Sequence, residues 1–312
     1  MRLAVVTVNY RCAGVLAAEL ATTARQISRA GGIWYIVDNR SPDDSLPVLR
    51  GAMASVDQVE LIEADRNGGF GYGNNRGIDH AIGGPVQPDY IYLLNPDAVP
   101  DPGSIERMMA YLDAHPHVGI VGSALANADG SPTESMFRFP SLLSEVETAL
   151  AIGPASRLLE RHRVPLPRLT RPGPVDWVSG ASFMIRTDVL RTVGGFDEEF
   201  FLYWEEVELC HRVRNAGFEI HGLPDAKVTH IGGVSTGVGG QARMPGYWHQ
   251  SRNLFFRKTG AGGPLVLLNF VTAASLAVGR GWQWLRGKPG HPPRFVRDHI
   301  RYAFGSQPAI RG

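Results

Sequence analysis

LAVVTVNYRCAGVLAAELATTARQISRAGGIWYIVDN, residues 3–39, decides the fold class. Residues 3–8 form a short apolar, β-branched run, the signature of a strand buried on both faces. Residues 15–29 carry a helical pattern, and 34–37 return to a short apolar run. Strand, helix, strand at this spacing builds a parallel pair with its crossover helix on one face. The same alternation continues outward, with strands predicted at 59–62, 90–94 and 118–121 and helices at 43–53, 72–82 and 104–112. The class is α/β, a mainly parallel central sheet flanked by helices. Ligands of such sheets gather beyond the carboxyl ends of the strands.

The alternation stops at the turn signal Asn127-Ala-Asp-Gly130. Residues 140–174, rich in proline and arginine, are expected to make a loop-and-helix excursion over the sheet. Strands resume at 175–178 and 182–186, followed by a helix at 187–193, a Gly194-Gly195 break and a helix at 205–216 stopped by Gly217. This organisation predicts one domain over 1–260, in halves 1–125 and 126–260, and a helical basic extension over 261–312.

Of the 312 residues, 44% are hydrophobic and 20% charged, which excludes a disordered chain. Cys12 and Cys210 make no CxxC spacing, so no metal ribbon is expected and a reducing, cytoplasmic setting is. The N-terminus runs directly into the first strand and is read as core, not as a signal peptide. The net charge of +1 hides an asymmetry. Residues 261–312 hold seven basic side chains (Arg280, Arg286, Lys288, Arg294, Arg297, Arg301, Arg311) and one acid, Asp298, which leaves 24 basic and 29 acidic residues before them. Such a tail suits an anionic membrane surface, and peripheral contact with the inner face of the cell membrane is expected, not a nucleic-acid partner. The uncharged segment 264–279 is shorter than the roughly 20 residues of a spanning helix. With Trp282 and Trp284 it reads either as an interfacial anchor or as a core helix.

Polar residues close each early strand: Thr7, Asn9 and Tyr10, then Asp38-Asn39, then the glycine-rich Arg66-Asn-Gly-Gly-Phe-Gly-Tyr-Gly-Asn-Asn-Arg-Gly77, then Asn95-Pro-Asp97. On a parallel sheet these share one edge, where a nucleotide can bind. The glycines miss the GxGxxG register and no GxxxxGK[ST] loop occurs, which excludes a dinucleotide fingerprint and a P-loop. Asp38 either meets a pyrimidine or ribose or caps the turn at Ser41-Pro42, while Asn67, Asn74 and Asn75 offer amides. Asp97 either holds a divalent ion against a diphosphate or opens a loop. Glu205, Glu206 and Glu208 open a helix beside Phe201, Tyr203 and Trp204. An aromatic wall can hold a sugar ring and raise a carboxylate pKa toward a base's range. Glu205 and Glu206 point about 100° apart and cannot share one role, and Glu208 is spaced for a surface ion pair with Arg212. His230, before Gly232-Gly-Val-Ser235, is a metal ligand or a structural histidine. Arg252, on a later helix with Tyr247 and Asn253, is placed to neutralise phosphate.

Taken in order, these motifs resemble the family 2 inverting glycosyltransferases of GT-A fold, in their bacterial rhamnosyltransferase-like branch. The resemblance covers about residues 2–260 and adds Gly180-Ala-Ser-Phe-Met-Ile-Arg186 and Gly194-Gly-Phe-Asp197 to those above. It implies that Thr7, Asn9, Tyr10, Asp38, Asn67, Gly69, Asn74 and Asn95 bind the nucleotide donor, and that Asp97 with His230 binds Mg²⁺ or Mn²⁺. It further implies Glu206, beside Glu205, as general base, and Trp177, Gly180, Ala181 and Trp204 at the acceptor. Two positions depart from the family pattern: Asn95 is neutral where the DxD motif begins with an acid, and the acidic pair reads Glu205-Glu206. The implied reaction is a single displacement from a dTDP- or UDP-sugar, first dTDP-rhamnose, onto a glycan or polyprenyl-diphosphate-linked acceptor. Transfer of galactofuranose, mannose or glucose from a UDP- or GDP-sugar is the alternative. A sugar nucleotidyltransferase would carry a basic glycine-rich loop where Asn9-Tyr-Arg-Cys-Ala-Gly14 stands, and an inactive binding protein is the third reading.

Overall fold

The computed structural model describes residues 2–231, 243–287, 291–292 and 294–305. Among the described residues, eleven strands run in chain order: β1 Leu3–Asn9, β2 Gly32–Asp38, β3 Val59–Glu63, β4 Tyr90–Leu94, β5 Ala98–Pro100, β6 Val118–Ala126, β7 Met136–Phe137, β8 Gly173–Val175, β9 Trp177–Val178, β10 Ser182–Arg186 and β11 Glu219–His230. The helices are α1 Ala13–Arg29, α2 Ser45–Met53, α3 Phe70–Gly83, α4 Ser104–Ala114, α5 Leu142–Leu150, α6 Gly153–Leu158, α7 Thr187–Val193, α8 Glu205–Asn215, α9 Gly246–Thr259, α10 Leu265–Leu285 and α11 Phe295–Phe304.

A nine-stranded sheet has the order β3-β2-β1-β4-β10-β6-β11-β5, with β8 paired to β11. The first four strands are parallel, as is the β6–β11 pair. β10 enters antiparallel between β4 and β6, and β5 runs antiparallel on β11. Every residue of β1 and β4 is buried, because helices cover both faces. Alternation then splits β1 between two cores. Leu3 and Val5 pack with Trp34, Ile36 and the apolar stripe Leu16, Leu20, Ala24 and Ile27 of α1, whereas Ala4 and Val6 pack with Tyr35, Val37 and the far layer.

The 140–174 excursion contains α5 and α6, and α5 opens with a reciprocal Ser141–Ser144 capping box. A third core of Phe200, Val207, Leu254, Phe255, Phe256 and Leu268 joins α8, α9 and α10, so the C-terminal helices lie directly on the catalytic-side layer. α10 runs for 21 residues, longer than the uncharged segment that marks it in sequence, since Arg280 does not interrupt the helix. Glu208 is a second correction. Its bidentate bond with Arg212, at 2.7 and 2.8 Å, is largely buried, and Arg212 also donates to the carbonyls of Val193 and Gly195. The pair is therefore a structural clasp of the Gly194-Gly195 turn, not a surface bridge.

Candidate active site

A cavity of about 490 Å³ opens beyond the carboxyl ends of β1 and β4, where the sheet order changes direction. Its walls come from the β1 end (Tyr10), the loop into α3 (Asn67, Gly69), the β4 end (Asn95, Asp97), the turn before β10 (Gly180, Ala181), the start of α8 (Glu205, Glu206) and His230. Ten expected residues are thus brought to one cavity from six separate stretches.

Close approach of two backbones explains the glycine at 69. Its φ is +89°, and a Cβ there would lie 1.8 Å from the Phe201 carbonyl oxygen, while the Phe70 N–H donates to that same oxygen at 3.0 Å. The contact ties the α3 loop to the aromatic segment preceding α8. Tyr203 and Trp204 then take left-handed φ values of +67° and +74°, an uncommon conformation for bulky residues that turns the chain sharply into α8. That turn sets Glu205 and Glu206 on the cavity wall, with Gly180 packed against the Glu206 carboxylate.

Glu205 is buried and Glu206 half-buried, and one carboxylate oxygen of each, Oε2, is enclosed with no protein partner. Burial raises the Glu205 pKa well above the ordinary range, and the neighbouring Glu206 charge adds to it. Burial also raises Glu206, against the opposing pull of backbone N–H groups at Glu206, Gly180, Val207 and Trp204. Both carboxyls are thus pushed above the ordinary range, Glu205 well above it.

Also on the cavity wall, Asp97 is buried with Oδ1 3.2 Å from His230 Nε2. Asn95 Nδ2 lies 3.4 Å from the same imidazole nitrogen. One carboxylate oxygen and one imidazole nitrogen converging at a cavity wall fit a divalent ion that completes its shell with phosphate oxygens and water. A second group of possible ligand atoms, on His117, Glu219 and His221, lies at the other end of β6 and β11 and takes no part in this cavity.

Seven expected residues are not on the cavity wall. Thr7 is fully buried and its hydroxyl accepts from the Trp34 indole at 2.9 Å. Asn9 donates to Asp38 Oδ1 at 2.7 Å, and Asp38 Oδ2 accepts from the Ser41 N–H at 3.0 Å, so this pair holds the turn after β2. Asn74 is buried and donates to the Phe70 carbonyl. Trp177 stacks on Phe137 and donates to the Arg138 carbonyl at 2.8 Å, while Trp204 packs on Phe255 and Phe256. Arg252 is the clearest correction. Its guanidinium is buried among Glu145, Asn253, Asn269 and Thr272, and its donors are spent there, not on phosphate. The Gly232-Gly-Val-Ser235 stretch, with Lys288 and Arg311, lies outside the described residues.

Sequence reasoning placed Asn39 at a strand end beside Asp38 but gave it no role of its own. Its Nδ2 donates to Asn67 Oδ1 at 3.0 Å and to the Gly69 carbonyl at 2.9 Å, which orders the glycine loop, and its Oδ1 is buried without a protein partner at the cavity. The charged Asp38 beside it drew the attention, although the next residue along the strand end faces the cavity. Phe201 and Tyr203 of the expected aromatic wall also line the cavity, whereas Phe70 and Tyr247 could be found only by their place in the fold.

The family described as "Glycosyltransferase like family 2" matches residues 2–260. The N-acetylglucosaminyl-diphospho-decaprenol L-rhamnosyltransferase of Mycobacterium tuberculosis is 28% identical over 289 residues, 88% of this chain and 91% of that protein. The dTDP-rhamnosyl transferase RfbF of Shigella flexneri is 24% identical over 206 residues, 66% of this chain and 62% of that protein. Among solved structures, the mannosyltransferase PcManGT of Pyrobaculum calidifontis, in complex with GDP-Man and Mn²⁺, shares the fold with a TM-score of 0.58 at 15% identity, covering 94% of this chain and 76% of that one.

Proposed function

The chain belongs to glycosyltransferase-like family 2, and from that premise we propose that it transfers L-rhamnose from dTDP-rhamnose, with inversion, to a hydroxyl of a polyprenyl-diphosphate-linked glycan. The observation that carries the reading is one cavity lined both by Glu206, with its free carboxylate oxygen, and by the Asp97–His230 pair. The sugar and the lipid-linked acceptor rest on the relatives' names, a decaprenol-linked rhamnosyl acceptor in one and a dTDP-rhamnosyl donor in the other.

Glu206 takes the proton of the acceptor hydroxyl as that oxygen bonds to the anomeric carbon. The bond from that carbon to the diphosphate oxygen breaks, and its electron pair leaves with the diphosphate. Asp97 and His230 would hold a divalent ion, Mn²⁺ suiting their mixed oxygen and nitrogen set, that neutralises the diphosphate charge. Asn39, Asn67 and the bare backbone at Gly69 shape the donor wall, and Gly180 and Ala181 leave room for the acceptor beside Glu206.

Thermal melts with dTDP-rhamnose and its UDP- and GDP-sugar counterparts, in Mn²⁺, Mg²⁺ or chelator, test the donor side. A metal-dependent stabilisation by dTDP-rhamnose that Asp97→Ala abolishes is expected, of a few kcal/mol at saturation. Glu206→Gln is expected to keep that stabilisation and lose roughly 10² to 10⁴ in turnover. Release of diphosphate from a nucleoside triphosphate would instead identify a nucleotidyltransferase.

A further inference from the structure

α10 is amphipathic in the inverted sense. The side chains it turns inward include Asn269, Thr272, Ser275 and Gln283, together with Leu268 and Leu276. Those it turns outward include Val266, Leu267, Phe270, Val278, Trp284 and Leu285, and Phe270 and Trp284 are 65% and 80% exposed. Positions 267, 270, 274, 278, 281 and 285 recur at three- and four-residue spacing, so the apolar residues form one stripe along a helix about 30 Å long. The helix cannot roll to hide it. Asn269 Oδ1 accepts from Arg252 Nη1 at 2.8 Å, and rotation would strip that buried guanidinium of its α10 partners, Asn269 and Thr272. By length and composition alone α10 could cross a membrane, but its hydrogen-bonded polar face is held against α9 and α5.

Charge decides what covers the stripe. Beside it, Arg280 of α10, Arg294 just before α11 and Arg297 of α11 line a cleft of about 440 Å³, with Phe295, Val296 and Ile300. Arg286 lies over the Trp282 ring at 4.9 Å, a cation and an indole at one helix end. The sole acid in residues 261–312, Asp298, is buried and paired with Arg243. A second copy of so basic a face would be repelled, whereas an anionic bilayer complements both the apolar stripe and the arginines. We propose that the outward faces of α10 and α11 lie in the headgroup layer of an anionic membrane, α10 parallel to its plane and the arginine cleft on lipid phosphate. α9 links this face to the cavity, since Tyr247 lines the cavity about 8 Å along the helix from Arg252. The surface deepens the lipid-linked acceptor reading but stands on α10 and α11 alone.

The full chain, without donor or acceptor, is sedimented with phosphatidylcholine vesicles and with vesicles that also contain phosphatidylglycerol. Salt-sensitive binding to the anionic vesicles is expected. Phe270→Ser with Trp284→Ser should weaken it by on the order of tenfold or more, and Arg280→Glu with Arg297→Glu should remove the preference for phosphatidylglycerol. Circular-dichroism melts establish that each variant folds, and dTDP-rhamnose binding, measured separately, leaves the donor reading to stand or fall by itself. The proposal is overturned if the wild-type chain ignores both vesicles, if folded variants bind as it does, or if light scattering shows a dimer that the Phe270→Ser, Trp284→Ser pair dissolves while vesicles leave it intact.

Discussion

Two adjacent carboxylates on a cavity wall face different electrostatic fates. Glu206 is restrained by N–H groups of the α8 start and Gly180, whereas at Glu205 burial and the Glu206 charge together outweigh the N–H groups of Glu205 and Tyr203. Folding therefore takes up a proton at Glu205 wherever the pH lies between the ordinary value of 4.5 and its raised one. That contribution favours the fold at acid pH and is lost as pH rises through the window, at about 1.4 kcal/mol per pH unit. Glu205→Gln is accordingly expected to raise the melting temperature at neutral pH, with the gain shrinking toward about pH 4.5. Melts across that range check it, and a gain that grew on acidification would refute the assignment. An acidic helix start beside aromatics was enough to locate these residues in sequence. Their unequal shifts were not legible, because they depend in part on Gly180, far away in the chain.

Among the elements, α9 departs most from expectation. Its Arg252 looked like a phosphate ligand, since a lone arginine after a motif-rich stretch offers charge without stating its surroundings. In the fold it is a buried link among α9, α5 and α10 through Glu145 and Asn269. Arg252→Met is expected to cost roughly 3–5 kcal/mol by leaving Glu145 unpaired in a buried site. Donor affinity of the folded fraction should not change. Urea unfolding and a nucleotide-sugar titration separate this outcome from a phosphate-binding role, for which affinity would fall with little loss of stability. The main strands and helices of residues 1–125 were readable to within a few residues, because buried parallel strands and the α1 stripe impose local patterns, but β5 was not, and the strand expected at 175–178 divides between β8 and β9. β10 was readable as a strand but not in its antiparallel direction, which depends on where its neighbours β4 and β6 already lie.

For the molecule as a whole, the joint between the catalytic domain and the C-terminal helices contains two buried histidines. His249 stacks on Tyr302, has no hydrogen-bond partner on either ring nitrogen, and lies near Phe295, Asp298, Arg243 and Arg252. His299 faces the Asn269 carbonyl. Burial holds both pKa values down, to about 4 from the ordinary 6.5. The fold thus requires them neutral, and its stability is full above about pH 6.5 and falls as pH drops toward 4. Hydrogen exchange at pH 5 should show α9 and α11 opening ahead of the central sheet, and His249→Phe should reduce that opening. Faster exchange in β1 and β4 than in α11 would contradict it. The sequence by itself determined the α/β class, the family and the strand-end motifs, because each is written in local periodicity or in a short ordered run of residues. Only the tertiary structure decided which polar residues face the cavity and which are consumed inside the fold, and that α10 turns its apolar side outward. Those outcomes depend on partners distant in sequence, such as Trp34 for Thr7, Asn9 for Asp38, and Glu145 and Asn269 for Arg252.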